Sequence, residues 1–251
     1  MGEKHPDTLD ALEALAISYE CLGDYNKVFE MRKAVYNGRK EFLDENNPDT
    51  LTSLSNLAIS YYHLGDYNKA LKTENKVYNA RKEVLGERDL DTLTSLSNLA
   101  NFYSNLGDHN KALEMENRVY NSRKQILGER DLDTLTSLSN LAITYSDLGD
   151  YNKAMKLHEE VYISRKQILG VNHSDTLRSL YNLAISYSDL GDYNKACELE
   201  NIIYNARKEI LGETHPDTLR SLSNLAISYS NLGDYNKAMK LHEEVYISRK
   251  Q

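Results

Sequence analysis

The one run that sets a serine, a histidine and an acid side by side is His173-Ser174-Asp175. A nucleophilic relay needs the base within hydrogen-bond reach of the hydroxyl and the acid behind the base. Three consecutive side chains diverge, so this run lacks that geometry. His158-Glu159-Glu160 and His242-Glu243-Glu244 raise the question of a metal. A zinc-binding helix would carry a second histidine four positions on, where Tyr162 and Tyr246 stand, so both runs read as solvated helix faces. Cys21 and Cys197 lie in different phases of the sequence pattern and read as small apolar fillers without a bridge. No glycine-rich phosphate loop occurs. No catalytic residue, metal ligand or cofactor is therefore assigned, and no enzymatic activity is expected.

Two polar columns remain, each recurring every 42 residues. Arg39, Arg81, Arg123, Arg165, Arg207 and Arg249 fall on the apolar side of a helix. A partly buried guanidinium there requires a carboxylate or carbonyl, so this column reads as a tie to the linker of the next period. Asn56, Asn98, Asn140, Asn182 and Asn224 precede a Leu-Ala pair. A side-chain amide offers both donor and acceptor and can bracket a peptide unit without reading its sequence. The same amide can equally satisfy neighbouring helix groups, and both readings stand at this stage.

The elements that position these columns follow from the period. Asp7, Asp49, Asp91, Asp133, Asp175 and Asp217 recur at intervals of 42 across the 251 residues. Such a period signals a linear array of supersecondary units: 5–46, 47–88, 89–130, 131–172, 173–214 and a shorter 215–251, one array over 1–251. In the second unit Leu51, Leu54, Leu57, Ala58, Tyr61 and Leu64 draw one apolar stripe on a helix of about 15 residues. Asp49 is expected to cap it and Gly65 to end it. Asp66 then opens helix B, whose inner stripe is expected to be Ala70, Val77, Tyr78, Arg81, Val84 and Leu85 before Gly86. Of 19 tyrosines, 17 fall in three columns and suit interhelical packing with the hydroxyl at the rim.

Composition narrows the partners. Thirty Lys and Arg against 38 Asp and Glu give a net charge of −8, opposite in sign to what tracking a nucleic-acid backbone needs. No window approaches the roughly 18 apolar residues of a membrane span, and the start Met1-Gly2-Glu3-Lys4 lacks a secretory signal. Neither nucleic acid nor membrane is expected as a partner, and the cytoplasm is the expected location.

The string Asn56-Leu57-Ala58, Tyr61, Gly65-Asp66-Tyr67, Ala70 resembles the tetratricopeptide repeat. The 42-residue period, His-Pro-Asp-Thr-Leu at 5–9 and 215–219, and Arg-Lys-x-x-Leu-Gly at 81–86, 123–128, 165–170 and 207–212 resemble its kinesin-light-chain-like variant. The resemblance covers the whole chain and implies an all-α fold, an α-solenoid in the form of a right-handed superhelix of six antiparallel helical hairpins. His-Pro-Asp also occurs in chaperone J-domains, but here it recurs in phase with Asn47-Pro48-Asp49 and reads as a linker. The first repeat departs from the pattern, with Ala14 in the asparagine column and Asp10, Glu13 and Glu20 nearby, which suits an end cap. The last repeat stops before its Leu-Gly, so either the natural chain continues or this is an excised segment. Near-identical blocks imply recent duplication or consensus design.

In such superhelices helix A lines the concave surface, and the asparagine column looks like a ladder that holds an extended peptide. Thr52, Ser55, Ile59 and Tyr62 and their copies are expected to face the groove, and Arg178, Tyr181 and Arg220 to make its far end basic. The leading expectation is a non-catalytic scaffold binding a protein or peptide ligand. The alternatives are a structural solenoid with weak end-to-end self-association, and the sensor arm of a larger signalling protein.

Overall fold

Each helix start is set by one side chain. In a computed structural model, which describes residues 5–250, the side chains of His5, Asn47, Asp89, Asp131, His173 and His215 accept the backbone N–H two residues on. This satisfies one of the four orphan donors of a helix N-terminus. Asp49 is therefore not the cap; it lies in the first turn, where its charge suits the helix dipole. The histidine of each His-Pro-Asp run is thereby occupied, and proline takes the first helical position, where no N–H is needed. The polar start Met1–Lys4 lies outside the described residues.

Twelve helices result among the described residues, in two compact units. The first runs to Ile126 and holds α1 (Pro6–Cys21), α2 (Tyr25–Leu43), α3 (Pro48–His63), α4 (Tyr67–Val84), α5 (Leu90–Asn105) and nearly all of α6 (His109–Leu127). The second holds α7 (Leu132–Asp147), α8 (Tyr151–Leu169), α9 (Ser174–Asp189), α10 (Tyr193–Leu211), α11 (Pro216–Asn231) and α12 (Tyr235–Lys250). From α1 to α5, and again from α7 to α12, each helix packs on the next. No strand occurs among the described residues.

Between α3 and α4 the chain reverses in three residues. Gly65 sits at φ +80°, and the N–H groups of Gly65 and Asp66 return to Tyr62 O and Tyr61 O at 2.9 Å each. A side chain at that φ would be strained. Asp66 then accepts the Lys69 N–H and starts α4. Ala58 and Ala70 are fully buried where the two helices cross, so a larger residue at either would force them apart.

The core of the second repeat is Leu51, Leu54, Leu57 and Val77, with Phe29 and Tyr36 of the preceding helix seated against it. In the second unit Met155 and Tyr162 pack the same way on Leu180, Leu183 and Ile203. The first repeat thus covers the second and the fourth covers the fifth, and a fully buried leucine contributes about 1.5–3 kcal/mol.

The inner stripe of helix B differs from the pattern expectation at two positions. Val84 is exposed at the end of α4, whereas Glu74 is fully buried in its middle. Leu64 is likewise exposed, because it is the C-cap of α3 rather than the last rung of the stripe. Cys197 is buried but Cys21 is exposed, so only the former is a core filler; both are free thiols.

Candidate functional site on the helix-A face

The arginine column builds the joints between repeats. Arg81 donates from Nη1 to Asp91 O at 3.0 Å and to Ser95 Oγ at 2.9 Å, and from Nη2 to Thr52 Oγ1 at 2.9 Å. Arg165 repeats this with Ser179 at 3.0 Å and Thr136 at 2.8 Å. One guanidinium thus ties three helices, which is the structural role the column suggested. Thr52 is consequently engaged as an acceptor.

A second buried column runs through helix B at Arg32, Glu74, Glu116, His158 and Glu200. The sequence pattern gives no warning of it, since charged residues at core phase contradict the apolar stripe. Ser55 Oγ lies 3.0 and 2.9 Å from the two carboxylate oxygens of Glu74. Ser55 is therefore behind the surface and not on it, contrary to its expected place in a groove. In the first repeat the charges are exchanged: Arg32 takes the glutamate position and bonds Glu13 and Glu20 at 3.2 and 2.8 Å, while Asp10 pairs with Arg39 at 2.6 Å. The acids of the first repeat are thus counterions within the fold. His158 corrects the solvated reading of its run: it is buried, and burial pushes its imidazole down to about 4.

The asparagine column directly follows the Ser55 phase on helix A. Asn56 Nδ2 donates to Glu13 Oε1 at 3.0 Å, Asn98 Nδ2 to Ser55 Oγ and Glu74 Oε1 at 3.3 Å each, and Asn182 Nδ2 to Ser139 Oγ at 3.3 Å. All five ladder asparagines, Asn140 among them, are half-buried. The amides of Asn56, Asn98 and Asn182 thus contribute to the joints between repeats. Three residues on, Ile143, Ile185 and Ile227 are exposed. Spacing of three puts each isoleucine on the face of its asparagine. Ile59 is more covered, packing against Ala58, Ala70 and Phe102, and Tyr62 stacks on Phe102 at 5.1 Å with 16° between planes. Tyr62 therefore seals one repeat against the next more than it faces outward.

In the second unit the structure brings the remaining candidates together. Arg178, Tyr181, Arg220 and Asn224 line one cavity of about 460 Å³ with Ser174, Asp175 and Arg207. A smaller cavity of about 120 Å³ adjoins it, sharing Tyr181 and Asn224 and bounded by Ile185, Ile227 and Glu200. Arg178 pairs with Asp175 at 2.9 Å and Arg220 with Asp217. Arg207 donates to Ser221 at 2.7 Å and Asp217 O at 3.4 Å; burial depresses its guanidinium below the ordinary value, with Arg220 acting in the same direction and Asp217 opposing.

Tyr181 replaces the serine that holds Glu74 in the second repeat, so Glu200 lacks that donor. Its Oε2 is buried with no hydrogen bond, and burial pushes its carboxyl up to about 7, against the pull of Arg207. Neither Arg207 nor Glu200 stood out in the sequence as a site residue. The single tyrosine, Tyr181, in a column of serines at 55, 97, 139 and 223 was the available signal for Glu200.

His173 Nδ1 accepts the Asp175 N–H at 3.1 Å as the cap of α9, which leaves no relay to Ser174. No group of three metal-ligating side chains occurs among the described residues, and no helix among them is long and apolar enough to cross a membrane.

A family model described as the tetratricopeptide repeat matches residues 49–125, 91–162, 133–201 and 175–250. No curated protein matches the chain. Among solved structures, a kinesin-light-chain-like protein from Podosopora anserina with nearly identical repeats is 27% identical, with 79% of this chain and 94% of that chain covered and a TM-score of 0.70. BtubC from P. vanneervenii is 20% identical over 96% of this chain and 91% of its own, at a TM-score of 0.69. A signal-transduction ATPase from Pyrococcus horikoshii with a tetratricopeptide repeat sensor is 19% identical over 97% of this chain and 36% of its own, at 0.69. The last two likenesses show the shared fold.

Proposed function

The chain belongs to the tetratricopeptide repeat family, and on that premise we propose that it is a non-catalytic scaffold whose helix-A face binds an extended peptide segment of a protein partner. The fold is typical of protein–protein interaction scaffolds. The observation that carries the finer reading is the pair of adjoining cavities on helices α9 and α11, lined by Arg178, Tyr181, Arg220 and Asn224 and flanked by exposed Ile185 and Ile227. Amides for a peptide backbone, isoleucines for apolar side chains and arginines for acidic ones are the elements an extended ligand needs. Asn182 of α9 and Asn140 of α7 would extend this contact within the second unit, and in the first unit Asn56 and Asn98, with Ile59 beside them, would offer a peptide the same amides.

The test is a screen of immobilised random peptides against the chain and two variants. Acidic peptides should be retained, and reversing Arg178 and Arg220 to glutamate should release them and reduce the salt dependence of what remains. Retention that ignores both the reversal and Asn224→Ala would remove this reading.

A second reading, self-association, is favoured by one observation. Met239 and Tyr246 are exposed, although their counterparts Met155 and Tyr162 are seated on the next repeat, and Leu9, Leu12 and Leu15 line a cavity of about 610 Å³ on the first repeat. A head-to-tail contact of this kind does not close. Light scattering that shows a monomer at the highest attainable concentration would eliminate it.

A further inference from the structure

The basic cavity departs from the joints of the earlier repeats in a way that points to a particular anion. At the second and fourth repeats each joint arginine spends its second terminal nitrogen on a threonine, Arg81 on Thr52 and Arg165 on Thr136. In the fifth repeat that threonine position holds Arg178, and in the sixth it holds Arg220. The exchange has two consequences at once: Arg207 loses the acceptor its counterparts use, and two cations are added beside it. Three guanidiniums then line a single cavity of about 460 Å³ whose one lining carboxylate is Asp175, in a chain whose net charge is −8. Asp175 pairs with Arg178 at 2.9 Å and Asp217 with Arg220, so the three guanidiniums and two carboxylates leave one positive charge in and around the cavity. Tyr181 and Asn224 complete its wall.

A carboxylate carries one charge and is matched by a single bidentate arginine. Its two oxygens fit one fork and cannot bridge three guanidiniums that stand on three helices. A phosphate monoester carries about −1.5 to −2 charges near neutral pH and three acceptor oxygens, so it can engage several forks together. We propose that the cavity between α9 and α11 receives the phosphoryl group of a phosphorylated serine or threonine on the bound segment, through Arg178, Arg207 and Arg220. The placement rests on the peptide-binding reading above and narrows its acidic ligand to a phosphorylated one.

Threonine at 178 and 220 is the residue other repeats carry at this position, so Arg178→Thr and Arg220→Thr keep the fold while removing the added cations. Degenerate nonapeptide pools with a central phosphoserine, glutamate or serine are titrated against the chain by fluorescence anisotropy, with inorganic phosphate as competitor. The phosphoserine pool should bind about tenfold or more tighter than the glutamate pool. Either threonine variant should bring it down to the glutamate level, and inorganic phosphate should compete only at far higher concentration than the peptides. Equal binding of the phosphoserine and glutamate pools would overturn the phosphoryl assignment and leave peptide binding standing. Binding of no pool would overturn both. A phosphoserine preference that survives both threonine variants would show that the phosphoryl group sits elsewhere, and competition by inorganic phosphate at peptide-like concentration would make this a free-anion site instead.

Discussion

Glu200→Gln should stabilise the protein, and only above a certain pH. The carboxyl group is buried with Oε2 unpaired, and burial lifts it from an ordinary 4.5 to about 7. A raised carboxyl value means the folded state holds the proton more tightly than the unfolded chain. The penalty for folding with an ionised Glu200 is therefore fully present above pH 7, shrinks as pH falls toward 4.5, and is absent below. At about 1.4 kcal/mol per pH unit, the gap corresponds to about 3 kcal/mol. The pull of Arg207 is already contained in that net figure. Glutamine keeps the shape, cannot ionise and can donate to neighbouring oxygens. Urea unfolding of the parent and variant, followed by far-ultraviolet circular dichroism from pH 4.5 to 9, gives the difference directly. The variant should gain up to about 3 kcal/mol at pH 9 and nearly nothing at pH 4.5. A difference that is flat with pH, or a variant that is less stable at pH 9, would refute the argument that an unpaired ionised carboxylate is buried there.

Burial holds His158 neutral down to about pH 4 against an ordinary 6.5, so stability should fall by up to about 3 kcal/mol as pH drops from 6.5 to 4. His158→Leu should flatten that limb in the same unfolding series. Thr176 and Thr218 are fully buried with hydroxyls that bond nothing; replacing either with valine should leave the melting curve unchanged or raise stability by about 1 kcal/mol. Arg81→Ala removes a guanidinium that ties three helices and should cost about 3 kcal/mol in denaturant unfolding, with Arg81→Lys recovering little because the fork geometry is lost. Asn98→Ala strips a donor from the Ser55–Glu74 pair and should cost about 1–3 kcal/mol, whereas Asn224→Ala should change unfolding by less than about 0.5 kcal/mol and show its effect in peptide retention.

Period and phase in the sequence were enough for the repeat, the hairpin and the family, because each repeat reproduces the same local signals. The Leu51, Leu54, Leu57 stripe, the left-handed Gly65 and the Asp66 cap act within a few residues of themselves, so their roles can be read without knowing what lies across the interface. The arginine joints were legible for a related reason: a guanidinium at core phase must be satisfied, and the start of the next repeat's helix A lies within its reach. What the pattern hid were the side chains whose state depends on a partner 19 or more residues away. Glu74 passes for a solvated residue until Ser55 and Asn98 are seen to close around it, and His158 for an exposed one until packing buries it. The groove assignment failed at Ser55 because a serine's direction on a helix is settled by what the next helix offers. Arg178 and Arg220 share one phase of the repeat and were legible as a basic end, but that Arg207 joins them at one cavity was decided by tertiary structure: the three lie on three helices, and only the packing of α9, α10 and α11 brings them together.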